Sequence, residues 1–248
     1  MPVNNILKED LIKLGIKKDD TILMHSSLSS LGYIEGGADT VIDTLLDVLS
    51  EGTLLIPALS FDFVTGDNPV FDIKNTSSCV GKISETFRKR EGVIRSMHPT
   101  HSVCGIGKYA NEILKEHINS DTPVGKDSPF ALLPKYKGKV LMLGCKLYPN
   151  TSFHGIEEKG NVSYVLSPEK REYTLIDENG IQTKKEYFYH YIDENGFGQR
   201  YDRIGELMGL KPSKVLNADC YLIDAEKMWD VALDKLKEDE QYFVELRK

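Results

Sequence analysis

Cysteine is scarce in this 248-residue chain, and its four copies, Cys79, Cys104, Cys145 and Cys220, lie far apart. No CxxC pair occurs, and no combination of cysteine pairs and nearby histidines suggests a zinc site, which argues against a disulfide framework or a zinc knot. The four read as reduced, mostly buried thiols. Long apolar runs are also missing: none approaches the roughly 20 residues of a membrane span. The start, MPVNNILKEDLIKLGIKK, is charged and amphipathic and lacks a signal-peptide core. The chain is therefore expected to be cytoplasmic. Positive charge is the minority sign, 31 Lys and Arg against 38 Asp and Glu, for a net charge of −7. That disfavours nucleic acid as a partner, since phosphate contacts need Lys and Arg, and mildly favours a cationic small molecule. Three well-known loops are absent as well: the GxxxxGK[ST] phosphate loop, the GxGxxG dinucleotide fingerprint and the GxSxG nucleophile elbow.

What is present is a chain that is 40% hydrophobic and 28% charged, enough for a substantial core. Residues 5–14 carry a helical stripe that stops near Gly15. TILM at 21–24 reads as a strand, GADTVIDTLLDVLSEG as a helix stopped by Gly52, and TLLIP as a buried strand halted at Pro57. VGKISETFRKREG reads as a helix before the strand-like GVIRS. HSVCGIG reads as strand and turn, KYANEILKEH as a helix, and GKVLMLGC as the clearest buried strand. Between 160 and 200, polar residues alternate with aromatic and β-branched ones around an Asn-Gly pair, the signature of a hairpin. A helix at about 201–209, the strand ADCYLID and a terminal amphipathic helix from about 225 complete the pattern. This predicts one layered α/β/α domain over residues 1–248 with a mixed sheet, and an antiparallel hairpin insertion at about 160–200.

In such sheets, ligands gather in the loops beyond the strands' carboxyl ends. Three polar loops qualify. HSSLSSLG follows TILM, and its backbone N–H groups and hydroxyls suit a phosphate or a pantetheine chain, or else simply cap the next helix. RSMHPTHSVCGIG follows GVI and gathers Arg95, Ser96, His98, His101 and Ser102. Two histidines three apart raise a metal, but Pro99 forbids a regular helical face, so anion binding or loop structure competes. YPNTSFHGIEEKGN follows VLMLGC. Here Asn150 or Thr151 can cap a helix, and His154 and Glu157, at i and i+3, share one face. A carboxylate on one imidazole nitrogen fixes the tautomer and frees the other nitrogen to take a proton. HxxE is common by chance, so spacing alone leaves this open. Cys145 next to the loop is a thinner option, as an acyl-accepting thiol with His154 as its base.

Taken in order, MHSSLSSLG, EGTLLIPALS, FDIKNTSSCVGKISETFR, GVIRSMHPTHSVCGIG, TPVGKDSPFALL and GKVLMLGCKLYPNTSFHGIEE resemble the aminoglycoside 3-N-acetyltransferase family, which differs in fold from the GNAT acetyltransferases. The resemblance covers roughly residues 5–240. It implies direct transfer of acetyl from acetyl-CoA to the 3-amino group of a 2-deoxystreptamine aminoglycoside, without a metal and without a covalent enzyme intermediate. By the same likeness His154 is the general base and Glu157 orients it. Asp193 is the further acidic residue, and Thr151 or backbone N–H groups near Ser26–Ser30 serve the developing oxyanion. His25, Ser26, Ser27 and Leu28 are expected along the pantetheine arm, with Ser96, His98 and Ser102 on the cofactor side. Asp62, Asp67, Asp72 and Glu157 are expected to present carboxylates to a cationic amine. CoA and a small cationic amine are the expected partners, with no nucleic acid or membrane, in a monomer or homodimer.

The sequence departs from the family where HGIE replaces the usual HLAE, with Gly155 loosening a first helical turn. It departs again in the short segment 160–200. Both bear on the acceptor more than on the acyl donor, and three other readings stay open. One is the same chemistry on a different amine, one a CoA-binding homologue without turnover, and one a metal-dependent hydrolase using His98, His101 and His154.

Overall fold

The computed structural model describes residues 2–247. In chain order the first half contains α1 (Val3–Leu14), β1 (Thr21–Ser26), α2 (Ala38–Val48), β2 (Thr53–Pro57) and β3 (Val70–Asp72). There follow α3 (Lys82–Phe87), β4 (Ile94–Arg95), β5 (Val103–Gly107), α4 (Ala110–Leu114), α5 (Pro129–Leu132) and β6 (Lys139–Leu143). The remainder comprises α6 (Ser152–Gly160), β7 (Arg171–Ile176), β8 (Gln182–Tyr187), β9 (Phe197–Gln199) and α7 (Ile204–Leu207). It closes with β10 (Ser213–Val215), β11 (Ala218–Asp224), α8 (Ala225–Glu238) and β12 (Val244–Leu246).

Seven strands form the central sheet in the order β10-β11-β6-β1-β2-β5-β4. β1 runs parallel to β2 and β6, while β5 and β11 flank them antiparallel, so the sheet is mixed. The period-2 alternation of a strand buried on both faces is plain in β6. Val140 and Met142 enter one core with Leu23, Leu55 and Val103, and Leu141 and Leu143 enter the other with Ile22, Met24 and Ile56. Helices α1, α2 and α3 cover the second face, and α4, α5, α6 and α8 the first. Each fully buried Leu or Ile in these layers contributes about 1.5–3 kcal/mol of transfer free energy.

Local signals set most boundaries. Ile16 N–H donates to Leu11 O and Gly15 N–H to Ile12 O, closing α1 where the stripe ends. Asp224 Oδ1 accepts the Lys227 N–H at 2.9 Å and caps α8. Three expected helices are shorter than their periodicity. α3 ends at Phe87, α4 gives way to a 3₁₀ turn at Lys115–Asn119, and the helix at 201–209 is a 3₁₀ turn followed by α7.

The Asn-Gly turn lies where the alternation places it. β7 and β8 pair antiparallel from Arg171↔Tyr187 to Ile176↔Gln182, and Asp177 Oδ1 accepts N–H groups of Asn179 and Ile181 across the turn. β3 adds parallel to β7, making a three-stranded sheet over a small core of Val64, Phe71, Ile73, Tyr173, Leu175 and Tyr187. Beyond β8 the aromatic run YFYHY leaves the hairpin. It crosses back over α6, with Tyr191 N–H donating to Val165 O, and so delivers His190 to that helix.

Candidate active site

β1 and β6 lie side by side, with His25 opposite Met142 and Ser26 opposite Leu143. Their carboxyl ends therefore release the serine-rich loop and the His154 loop next to each other, and Ser27 N–H donates to Leu143 O at 2.9 Å. Above them is a cavity of about 510 Å³, with His25, Ser26, Cys145, Asn150, Thr151 and His154 in its wall. Aromatic rings of Phe61, Tyr148, Tyr173, Tyr189 and Tyr201 supply much of the remainder. A second cleft of about 560 Å³ shares Ser26 and is lined by Ser27, Leu28, Gly37 and Lys82, so the serine loop borders both spaces.

His154 occupies the first turn of α6. Asn150 Oδ1 accepts the Ser152 N–H at 3.2 Å, while Thr151 makes no side-chain capping bond, which leaves its hydroxyl to the cavity. Glu157 is 0% exposed, and both its oxygens are engaged. The Tyr164 hydroxyl donates to Oε1 at 2.9 Å and the Tyr201 hydroxyl to Oε2 at 2.8 Å. Tyr201 Oη also lies 3.0 Å from His154 Nδ1. A phenol has one proton, and here it goes to the carboxylate, so the oxygen accepts from the imidazole Nδ1–H. This assigns the tautomer in which Nε2 carries the lone pair. Nε2 has no hydrogen-bond partner among the described residues and is not sealed from solvent; the side chain is 13% exposed at the cavity wall.

Glu157 does not hold the ring directly, as the i, i+3 spacing implies. Its nearest oxygen is 3.5 Å from Nδ1, at the limit of a hydrogen bond, and Tyr201 bridges the two. Tyr201 is 47 residues from His154, a separation that no local pattern reveals. Its ring stacks on Phe153 with centroids 4.7 Å apart, fixing the hydroxyl by packing.

A second pair stands behind the first. The His190 ring lies 4.1 Å from that of His154, centroid to centroid, and its Nε2 is 2.9 Å from Glu158 Oε1. Burial lifts the Glu158 carboxyl to about 7, with Glu157 adding to the rise. Burial and the neighbouring His154, His101 and His98 hold His190 well below its ordinary value. The ring contacts continue from His190 to His101 at 4.7 Å, and from His98 to the fully buried His117 at 4.8 Å. His98 Nδ1 accepts N–H groups of both Thr100 and His101, so that nitrogen cannot take a proton without losing two bonds. Among the described residues no group of three or more His, Cys, Asp or Glu side chains is arranged to hold a metal. Cys145 reaches the cavity, but burial pushes its thiol up to about 12, far from a thiolate at neutral pH.

Several expected residues fall elsewhere. Ser96, His98 and Ser102 are 0–2% exposed and outside the walls of both spaces. The Ser96 hydroxyl bonds His117 Nδ1 and accepts from Val103 N–H, and Ser102 accepts from Arg95 while donating to Ala58 O. These bonds brace the loop from within. Asp62 and Asp67 are exposed outside the cavity wall, because their loop turns Phe61, Val64 and Thr65 inward instead. Asp72 is committed to a turn, accepting from the N–H groups of Lys74 and Asn75. Glu157, with both oxygens spent on tyrosines, presents nothing to a substrate. Asp193 reaches the rim of the cavity but is 61% exposed and ion-paired with Arg247.

A layered α/β fold with a cavity over the carboxyl ends of adjacent parallel strands is the open-sheet arrangement in which α/β proteins bind ligands. A family model described as aminoglycoside 3-N-acetyltransferase matches residues 23–237, and the chain belongs to that family. It is thus a transferase. Aminoglycoside N(3)-acetyltransferase IX of Micromonospora chalcea is 34% identical, over 92% of this chain and 91% of that protein. The SPbeta prophage-derived aminoglycoside N(3')-acetyltransferase-like protein YokD of Bacillus subtilis is 32% identical, over 91% and 89%. The crystal structure of YokD superposes with a TM-score of 0.80, covering 96% of this chain and all of that one at 30% identity. The aminoglycoside acetyltransferase AAC(3)-IVa, solved as a mutant in complex with a gentamicin, gives a TM-score of 0.81 at 26% identity, over 97% of this chain and 90% of that one.

Proposed function

We propose that the protein transfers acetyl from acetyl-CoA directly to a primary amine with His154 as general base; the 3-amino group of a 2-deoxystreptamine aminoglycoside is the acceptor that family membership supports. The observation that carries this is the free Nε2 of His154 at the cavity wall, its opposite nitrogen held through Tyr201 by a buried carboxylate. An ammonium has no lone pair and cannot attack a thioester. The acceptor therefore reacts as the free amine, having given one proton to solvent; Nε2 removes a second as the C–N bond forms, and the imidazolium is balanced by Glu157 through the Tyr201 hydroxyl. As the C–S bond breaks, the same proton passes to the departing CoA sulfur. The Thr151 hydroxyl and backbone N–H groups of the serine loop stabilise the oxyanion that develops on the thioester carbonyl. Ser27, Leu28 and Lys82 in the second cleft suit the pantetheine arm and a phosphate, and Ser26 marks its junction with the cavity. Direct transfer is further supported by Cys145, whose thiol is held protonated.

A second reading of the acceptor, the same chemistry on a different amine, is favoured by the charge of the cavity wall. That wall carries Arg171 beside Asp193, which is paired with Arg247, and Glu194, and none of Asp62, Asp67 and Asp72. Thiol release from acetyl-CoA with gentamicin-, kanamycin- and neomycin-type acceptors tests the proposal. Release with any of them upholds the aminoglycoside acceptor, and CoA binding without release from any of them defeats it.

A further inference from the structure

Six of the seven arginines bond to a carboxylate or to backbone carbonyls. Arg95 shows what a structural arginine does with its donors: they go to Ser102 and to the carbonyls of Ile73, Thr76 and Ala58. Arg171 is the exception among the described residues. It stands at the first position of β7 in the cavity wall, and no carboxylate or backbone carbonyl takes its donors. Its guanidinium carbon lies 4.1 Å from the centroid of the Tyr189 ring, and Tyr173 is the nearby hydroxyl. Space for the head group is made by Gly66, where a Cβ would stand 3.2 Å from both Cζ and Nε. A stacked guanidinium has its π face covered and its planar fork of N–H donors left at the edge, the geometry that binds a carboxylate or phosphate through two parallel bonds.

The rest of the cavity agrees. Its other charged wall residues are Asp193, paired with Arg247, and Glu194, so few carboxylates face a polycation there. Resting on the acyl-transfer chemistry above and on its second reading of the acceptor, an amine other than an aminoglycoside, we propose that Arg171 binds an oxyanion, carboxylate or phosphate, carried by the amine acceptor itself. The acceptor is then an amine that also bears an anionic group, with the amine at His154 and the anion at Arg171. The anionic group supplies the second attachment point that orients the amine for attack.

Calorimetric titration of inorganic phosphate into the protein, alone and saturated with CoA, tests this with Arg171→Met and Arg171→Lys beside the parent. The expected result is phosphate binding that persists with CoA bound, weakens about tenfold or more in Arg171→Met, and is partly kept in Arg171→Lys. Acetyl-CoA affinity is expected to stay within about twofold in both variants, which also shows that they are folded. Absence of phosphate binding by the parent, or equal binding by Arg171→Met, overturns the proposal. Loss of the Arg171-dependent binding on adding CoA assigns the anion to the cofactor and overturns it too. Because this readout needs no turnover, failure of acetyl transfer with the three aminoglycosides defeats the aminoglycoside acceptor without being confused with failure at Arg171.

Discussion

Mild acid should destabilise this protein, because the fold keeps histidines neutral. His98, His101 and His117 are at most 7% exposed, and burial holds His98 and His101 well below the ordinary value and His117 at about 3. In the unfolded chain each titrates near pH 6.5. Their folded values are depressed, so the stability they contribute is complete above pH ~6.5 and drains away as pH falls below it. From about pH 7.5 to about pH 5.5 each costs about 1.4 kcal/mol, or roughly 4 kcal/mol for the three. His25, held at about 3 by burial, and His190, held well below its ordinary value, act in the same direction. Glu158 opposes them. Its folded value is raised to about 7, so the unfolded state ionises first and acidification restores stability, by about 2 kcal/mol over the same range. The net loss is about 2–5 kcal/mol, a large part of a typical domain's 5–15. Urea denaturation at both pH values measures it. Near pH 5.5 the slope should correspond to an uptake of about two or more protons on unfolding, and Glu158→Gln should raise that by about one. Stability that is flat or rising between the two pH values would refute the neutral-histidine account.

Tyr201→Phe keeps the stack on Phe153 but removes the bridge from His154 to Glu157. Expected are a kcat lower by about ten- to a hundredfold with acetyl-CoA KM unchanged, and about 1–3 kcal/mol less stability from the orphaned carboxylate oxygen. Unchanged kcat removes Tyr201 from the mechanism. Gly155→Ala places a Cβ 2.7 Å from Val124 Cγ1 and 2.9 Å from both Trp229 and the Val124 carbonyl oxygen. Overpacking of this kind costs about 1–3 kcal/mol, and thermal melts that match the parent would show that the contact is not tight. Cys145→Ala should retain turnover within about threefold and show no acetyl-enzyme by mass spectrometry, since a thiol held up at about 12 is not the nucleophile. Accumulation of acetylated Cys145 in the parent would contradict direct transfer.

The layers, the mixed sheet and the hairpin were legible because they rest on local rules: period-2 burial in GKVLMLGC, capping, and an Asn-Gly turn. His154 was legible as an HxxE element on a helix that follows a strand. Its partners were not. Tyr201 and His190 arrive from sequence distances of 47 and 36 residues, brought by packing that no spacing encodes. Glu158, next to the more obvious Glu157, is distinguished only by which face of α6 meets the returning chain. The expected aspartates stay out of the cavity wall for a related reason. A loop rich in Asp reads as a carboxylate cluster, yet its apolar residues Phe61 and Val64 turn toward the cavity and leave Asp62 and Asp67 in solvent. Gly155, read as a loosened turn, proves to be filled tightly by Val124 and Trp229.

The central claim is that His154 accepts the proton in acyl transfer. Steady-state thiol release by His154→Ala, with CoA affinity measured on the same preparation, tests it most directly. The account predicts a fall in turnover of about two to four orders of magnitude at unchanged CoA affinity. Turnover within about tenfold of the parent would contradict it.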